Sequence, residues 1–303
     1  MYNEINLQNS IIQPVNPHFR DNQAIQFEVL RLDLIHPVIS GNKFFKLRFF
    51  LEKALQEKSS GILTFGGAYS NHILATAFAA KKAGLTSIGI IRGEAPITLS
   101  PTLQDAQQLG MKLIFTPRGV FQNLLHDPKS AINTDYSGYT IIPEGGYGIP
   151  GMLGAATIYE LIPKNQYNWI LCACGTGTMM AGLLHATSNE VHVLGIPVLK
   201  NYTDMEMEIR NLLPAVDQEK NIKLEHAYHF GGYAKKTNDL IDFMNAFYRS
   251  NGIPTDFIYT GKLMFAVCHL IQKGFFPPGS RILAIHSGGL QGNRSLKKGI
   301  LEF

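Results

Sequence analysis

Trp169-Ile170-Leu171-Cys172-Ala173-Cys174-Gly175-Thr176-Gly177-Thr178 is an apolar run closed by alternating glycines and threonines. Its uninterrupted apolar half reads as a strand buried on both faces. Beyond it, Met180, Leu183 and Leu184 place apolar side chains on one side of a following helix. Strand, glycine-permitted turn and helix in that order aim successive backbone amides from a helix N-terminus, which makes a cradle for phosphate. The threonine hydroxyls add donors without adding charge. The turn is not a Walker A loop, because no Gly-Lys-Ser/Thr follows. Nor is it a full G-x-G-x-x-G, because Met180 stands at the third glycine position. An ordinary tight strand-helix turn is the alternative.

Working outward, the same rhythm recurs on both sides. Residues 26–34 alternate apolar and polar as a strand would, and short apolar strands are expected at 61–65, 87–92, 112–116, 139–142, 191–196, 224–229 and 281–285. Helices are expected at 70–84, 101–109, 152–161, 237–250 and 261–273, between and after them. Alternation of this kind makes an α/β protein with open, twisted, mainly parallel sheets flanked by helices. No internal repeat, low-complexity tract or long linker interrupts it, so any two domains must be knitted together.

Composition narrows the function. The 303 residues are 45% hydrophobic and 17% charged, as in a globular enzyme. The net charge of +4 is spread without a basic run or an Arg-aromatic stripe, which argues against nucleic acid. Met1 to Pro14 lack the basic-then-apolar layout of a signal peptide, and no apolar window is long enough for a membrane span. Cys172, Cys174 and Cys268 form an odd, sparse set without metal-ligand spacing, so no metal site is expected and the thiols read as reduced, in a cytoplasmic protein.

A second stretch carries reactive chemistry: Ser40-Gly41-Asn42-Lys43-Phe44-Phe45-Lys46-Leu47. From Leu47 the apolar positions Phe50, Leu51, Ala54 and Leu55 follow a helical period. Asn42 suits the N-cap, which puts Lys43 in the first turn, where the helix dipole opposes its charge and favours a neutral, nucleophilic amine. Taken alone, Lys43 could equally be a solvated surface lysine. A phosphate cradle together with a turn-mounted lysine points to pyridoxal phosphate, whose aldehyde needs the one and whose phosphate needs the other.

These two stretches, with Gly66-Gly67-x-x-Ser70-Asn71-His72, Tyr259-Thr260-Gly261-Lys262 and His286-Ser287-Gly288-Gly289, resemble the 1-aminocyclopropane-1-carboxylate deaminase/D-cysteine desulfhydrase family over residues 30–300. The resemblance implies a two-domain pyridoxal-phosphate-dependent fold of type II, like the tryptophan-synthase β-subunit. A large domain (1–47 and 147–303) and a small inserted α/β domain (48–146) would clasp the cofactor, usually in a homodimer. Lys43 would carry the cofactor, with Lys46 as the second lysine of the motif. Ser70 would face the substrate, and Asn71 would meet the ring hydroxyl. Gly175, Thr176, Gly177 and Thr178 would hold the phosphate. Tyr259 and, on a looser match, Tyr233 would line the site. His72 and Ser287 join the substrate-facing set. Ser70 could also simply cap its helix, Tyr259 could be a packed aromatic, His72 could be a core or surface histidine, and His286 could only shape its turn.

Two positions bear on the reaction. The deaminases carry glutamate where Thr260 stands and leucine where Ser287 stands. A carboxylate at the pyridine nitrogen keeps the ring protonated and the electron sink deep, whereas a neutral hydroxyl suffices for β-elimination with a good leaving group. The expected reaction is therefore D-cysteine desulfhydration to pyruvate, ammonia and sulfide. Deamination of aminocyclopropane carboxylate, elimination from another β-substituted amino acid, or non-catalytic binding of the cofactor or a nucleotide are the alternatives.

Overall fold

The computed structural model describes residues 5–16, 24–131 and 136–303. Residues 1–4, part of the stretch read against a signal peptide, lie outside the described residues. The strands are β1 (Ile12–Pro14), β2 (Gln26–Arg31), β3 (Gly61–Gly66), β4 (Thr86–Arg92) and β5 (Met111–Thr116). They continue with β6 (Tyr139–Ile142), β7 (Trp169–Cys174), β8 (His192–Pro197), β9 (Lys223–Leu224) and β10 (Arg281–His286). They form a six-stranded sheet in the order β1-β2-β10-β7-β8-β9 and a four-stranded sheet in the order β5-β4-β3-β6. Every pairing is parallel except β1 with β2. β3 and β7 are buried along their whole length, as strands covered on both faces must be.

The helices are α1 (Asn42–Gln56), α2 (Asn71–Lys82), α3 (Pro101–Gln108), α4 (Arg118–His126) and α5 (Ile149–Ala156). They continue with α6 (Thr178–Ala186), α7 (Met205–Leu212), α8 (Asn238–Asn251) and α9 (Thr260–Gln272). The four-stranded sheet draws its strands from residues 61–142 and the six-stranded sheet from both chain ends. The boundary expected after residue 47 falls inside α1, which packs on α5 on one side and on α2 on the other. No helix of the described residues is long and apolar enough to cross a membrane.

Several elements differ from the sequence reading. The strand expected over 26–34 stops at Arg31, because Leu32–Leu34 turn as a 3₁₀ segment. Arg31 Nε and Nη2 bind both oxygens of Asp33, at 2.8 and 2.6 Å, and this local fork holds the turn. The strand expected over 224–229 shrinks to Lys223–Leu224, since His226–Tyr228 coil into a 3₁₀ turn whose Ala227 amide is taken by the Glu225 carboxylate. The helix expected over 152–161 begins earlier, with Pro150 in its first turn, and tightens to 3₁₀ from Thr157. β1, α4 and α7 were not expected.

Helices α1, α5 and α6 stack at very short range. A Cβ on Gly154 would stand 2.0 Å from the carbonyl oxygen of Phe45, and one on Gly182 would stand 2.6 Å from that of Met152. The three helices therefore touch backbone to backbone, and around the contact Leu47, Leu51, Met152, Ala155 and Leu183 are fully or almost fully buried. Gly154→Ala is expected to lower the thermal midpoint, despite a gain in helix propensity of roughly 1 kcal/mol, because the methyl group has no room. The overpacking should cost at least about 1–3 kcal/mol. A midpoint unchanged or raised in differential scanning calorimetry would show that the helices can separate freely.

Candidate active site

The C-terminal ends of the parallel strands supply the turns that meet between the sheets, as expected of open α/β sheets. After β3 come Ser70, Asn71 and His72, after β4 the terminal Arg92, and after β6 the Glu144-Gly145 turn. After β7 comes the Gly175–Gly177 turn, and after β10 Ser287 to Gly289. They surround a cavity of about 190 Å³, more than ten times the roughly 10–15 Å³ that one water requires. Lys43, Lys46, Tyr233 and Tyr259 also line it.

Lys43 is aimed by a crossing of two stretches of the chain, 40–42 and 287–289. Gly41 adopts φ +65°, and a Cβ there would overlap the Ser287 carbonyl oxygen at 1.7 Å. The Asn42 amide donates to that same oxygen (3.1 Å), and the Gly289 amide donates to Ser40 Oγ (3.2 Å). Gly41, not Asn42, is the N-cap, so Asn42 is the first helical residue; Lys43 stays in the first turn. Burial pushes the Lys43 amine down from its ordinary value to about 8, while the Asp256 carboxylate opposes the shift. Lys46, 4% exposed, is pushed well below its ordinary range by burial and then by the neighbouring Lys43. Its Nζ lies 3.4 Å from the Gly145 carbonyl oxygen. Two lysines crowded in one apolar wall favour a bound anion, which would relieve their repulsion.

An anion cradle stands opposite. Gly177, left-handed at φ +70°, caps α6 and turns the chain so that the helix N-terminus opens on the cavity. Gly175, Thr176 and Gly177 line the cavity. Thr178 does not; it is fully buried, and its hydroxyl holds that of Thr176 at 2.8 Å.

The turn after β3 offers unspent polar atoms. Ser70 Oγ accepts the Ile73 amide at 3.3 Å and so caps α2, which leaves its own proton free for the cavity it lines. Asn71 Nδ2 donates to the Gly289 carbonyl at 2.8 Å, while its Oδ1 is buried without a partner. Thr64 Oγ1 donates its only proton to the Ile142 carbonyl (2.8 Å), so toward His72 Nε2, also 2.8 Å away, it can only accept. His72 is thus held as the Nε2–H tautomer, with Nδ1 a buried, unpartnered acceptor. Burial, then Lys43 and Lys46, keep this ring neutral.

The remaining wall holds the tyrosines. The rings of Tyr233 and Tyr259 meet edge to face, with centroids 6.1 Å apart. Burial raises both hydroxyls, Tyr259 well above its ordinary value, and their mutual contact lowers Tyr233 relative to Tyr259. Thr260, expected at the ring nitrogen, does not reach the cavity. It is fully buried at the start of α9, where its hydroxyl accepts the Asp256 amide and donates to Asp256 Oδ1, each at 2.8 Å. Ser287 is the hydroxyl of that pair that lines the cavity. His286 Nε2 donates to the Pro254 carbonyl at 2.7 Å and its ring sits 3.2 Å from Asp33, so it fastens the end of β10.

Four residues escaped the sequence reading. Asp256 is fully buried, and both its oxygens are saturated by the amides of Ile258, Tyr259 and Thr260 and by the Thr260 hydroxyl. Lys262 is fully buried. Arg92 and Glu144 face the cavity, and burial raises the Glu144 carboxyl while Arg92 opposes that shift. Arg92 and Glu144 were detectable as side chains at or just beyond strand C-termini.

A lysine with a lowered pKa, a helix-end cradle, a second buried lysine and the bare Asn71 oxygen together fit pyridoxal phosphate. The sequence profile described as "Pyridoxal-phosphate dependent enzyme" matches residues 19–288. The chain belongs to that family. A protein of Pyrococcus horikoshii, described provisionally as a 1-aminocyclopropane-1-carboxylate deaminase, is 28% identical over 277 residues, 87% of this chain and 84% of the relative. One of Pyrococcus furiosus with the same description is 29% identical over 292 residues, 91% and 88% of the two chains. The crystal structure of an ACC deaminase homologue superposes with a TM-score of 0.79 at 27% identity, covering 94% of this chain and 90% of that one. A hydrogen sulfide-producing enzyme of Fusobacterium nucleatum shares the fold, with a TM-score of 0.69 at 14% identity, covering 95% and 97%. The protein is therefore a pyridoxal-phosphate-dependent enzyme, similar in sequence and fold to proteins described as ACC deaminases or their homologues.

The lowered Lys43 gives a direct expectation. Only its neutral amine attacks the cofactor aldehyde, so the rate at which cofactor-free protein takes up pyridoxal phosphate should rise with pH and level off near 8. A rate still climbing tenfold per pH unit through pH 9.5, followed as growth of the visible absorbance, would mean that burial does not lower this amine.

Proposed function

We propose that the enzyme eliminates sulfide from D-cysteine: D-cysteine and water give pyruvate, ammonia and hydrogen sulfide. The observation that carries this reading is that the wall formed by the ends of β10 and α9 presents the Ser287 and Tyr259 hydroxyls and no free carboxylate, Asp256 being saturated within the wall. Lys43, Lys46, the Gly175–Gly177 turn and Asn71 would hold pyridoxal phosphate. When bound, the cofactor supplies an electron sink for the bonds at the substrate Cα. Facing Ser287 and Tyr259 hydroxyls rather than a carboxylate, that sink would be shallow and would favour a good leaving group.

The chain's own groups then divide the work. The Lys43 amine, at about 8, is poised to hold the proton from Cα near neutral pH. Ser70, with its proton free, orients the substrate carboxylate. Tyr233 and Tyr259, both protonated because burial raises their hydroxyls, donate toward the departing sulfur. His72 stays neutral. We further read the enzyme as a cytoplasmic homodimer. The three cysteines are free and buried, as suits a reducing compartment, and Ile149 and Leu153 leave apolar surface on α5 for a second copy.

The provisional description of the pyrococcal relatives favours a second reading, ring opening of aminocyclopropane carboxylate. Holoenzyme given each substrate separately decides between them. Pyruvate release from D-cysteine is expected to exceed 2-oxobutyrate release from aminocyclopropane carboxylate by about tenfold or more in kcat/KM, a barrier difference of about 1.4 kcal/mol. The reverse order would remove the argument from the neutral wall.

A further inference from the structure

We propose that Lys262 is a positioning residue for Tyr233: its buried ammonium clamps the strained turn 229–232, from which Tyr233 reaches the cavity. Lys262 is fully buried and does not line the cavity. Its Nζ donates to the His229 carbonyl and to the Gly232 carbonyl, both at 2.8 Å. Those two carbonyls bracket the turn. The same turn is tied internally by the Gly232 amide on the His229 carbonyl (2.9 Å) and the Gly231 amide on His229 Nδ1 (2.9 Å).

The backbone there is not one the chain adopts unaided. Phe230 (φ +50°) and Ala234 (φ +53°) flank Gly231 (φ +90°) and Gly232 (φ +114°), so four of the five residues from 230 to 234 are left-handed or beyond. Non-glycine residues in that region are strained and persist only where their surroundings over-determine them. Tyr233 itself is 37% exposed, so burial of its own ring does not anchor it. Its edge contact with Tyr259 then depends on the turn that carries it.

The choice of a lysine is itself informative. An ammonium in the first turn of α9 opposes the helix dipole, and no carboxylate hydrogen-bonds to it, since Asp256 is saturated by its own loop. Burial lowers its pKa to about 8. An apolar side chain of similar length would fill the space without that penalty. What it could not do is tie two carbonyls of a strained turn at once.

The inference rests on the reading that Tyr233 serves the reaction, and the test separates the two. In holoenzyme, Lys262→Met, Tyr233→Phe and the double variant are compared for kcat on D-cysteine, with cofactor occupancy checked by absorbance. Lys262→Met is expected to lower kcat by about as much as Tyr233→Phe, and the double variant to be no slower than either alone. Lys262→Arg, which keeps two donors, should recover part of the rate. Independent, multiplying losses in the double variant would overturn the proposal. If Tyr233→Phe turns over at the full rate, the reading of Tyr233 fails, and amide hydrogen exchange decides for Lys262. Faster exchange over residues 231–235 in Lys262→Met then upholds the clamp, and unchanged exchange refutes it. Should Lys262→Met not fold, Lys262→Gln, which keeps donors but cannot span both carbonyls, takes its place in each comparison.

Discussion

The backbone contact among α1, α5 and α6 is the constraint on which the site depends. Gly154 lets α5 lie against the Phe45 carbonyl of α1, and Gly182 lets α6 lie against the Met152 carbonyl of α5. Phe45 lies between Lys43 and Lys46 in the chain, and α6 begins at the glycine turn. The distance from amine to phosphate cradle is thus set by rigid helices touching at their backbones, with no long side chain between them to flex. The crossing of Gly41 with Ser287 locks the start of α1 to the turn after β10 in the same way.

Electrostatics follow from that geometry. Burial lowers the affinity of both Lys43 and Lys46 for protons, and Lys43 lowers that of Lys46 further, while Asp256 is hydrogen-bonded within its own loop. The cavity brings the two buried lysines and the helix-end turn together with the Ser287 and Tyr259 side chains. The turn suits a phosphate ester, and the hydroxyls would set how deep an electron sink can be.

Much of this was written in the chain locally. The run 169–178 declares strand, turn and helix by its own residues, and the structure begins α6 within it. Lys43, Ser70, Asn71, His72, Tyr233, Tyr259 and Ser287 meet at one cavity because each follows a recognisable turn or strand end. What local reading could not supply is direction. Thr260 and Thr178 sit at helix starts just as Ser70 does, yet their hydroxyls turn to Asp256 and Thr176. Lys262 reads as any helical lysine, and its burial is decided by a turn 30 residues earlier in the chain. The segment at 224–229 alternates like a strand but is claimed by the Glu225 carboxylate, a side-chain bond that periodicity does not register.

The central claim is that Lys43, held by these contacts opposite the glycine turn, is the residue that carries pyridoxal phosphate. Reduction of the holoenzyme with borohydride, followed by digestion and mass spectrometry, reads this directly. The account predicts a phosphopyridoxyl group on Lys43 alone. The group found on Lys46 or Lys262, or on no lysine of a fully loaded enzyme, would contradict it.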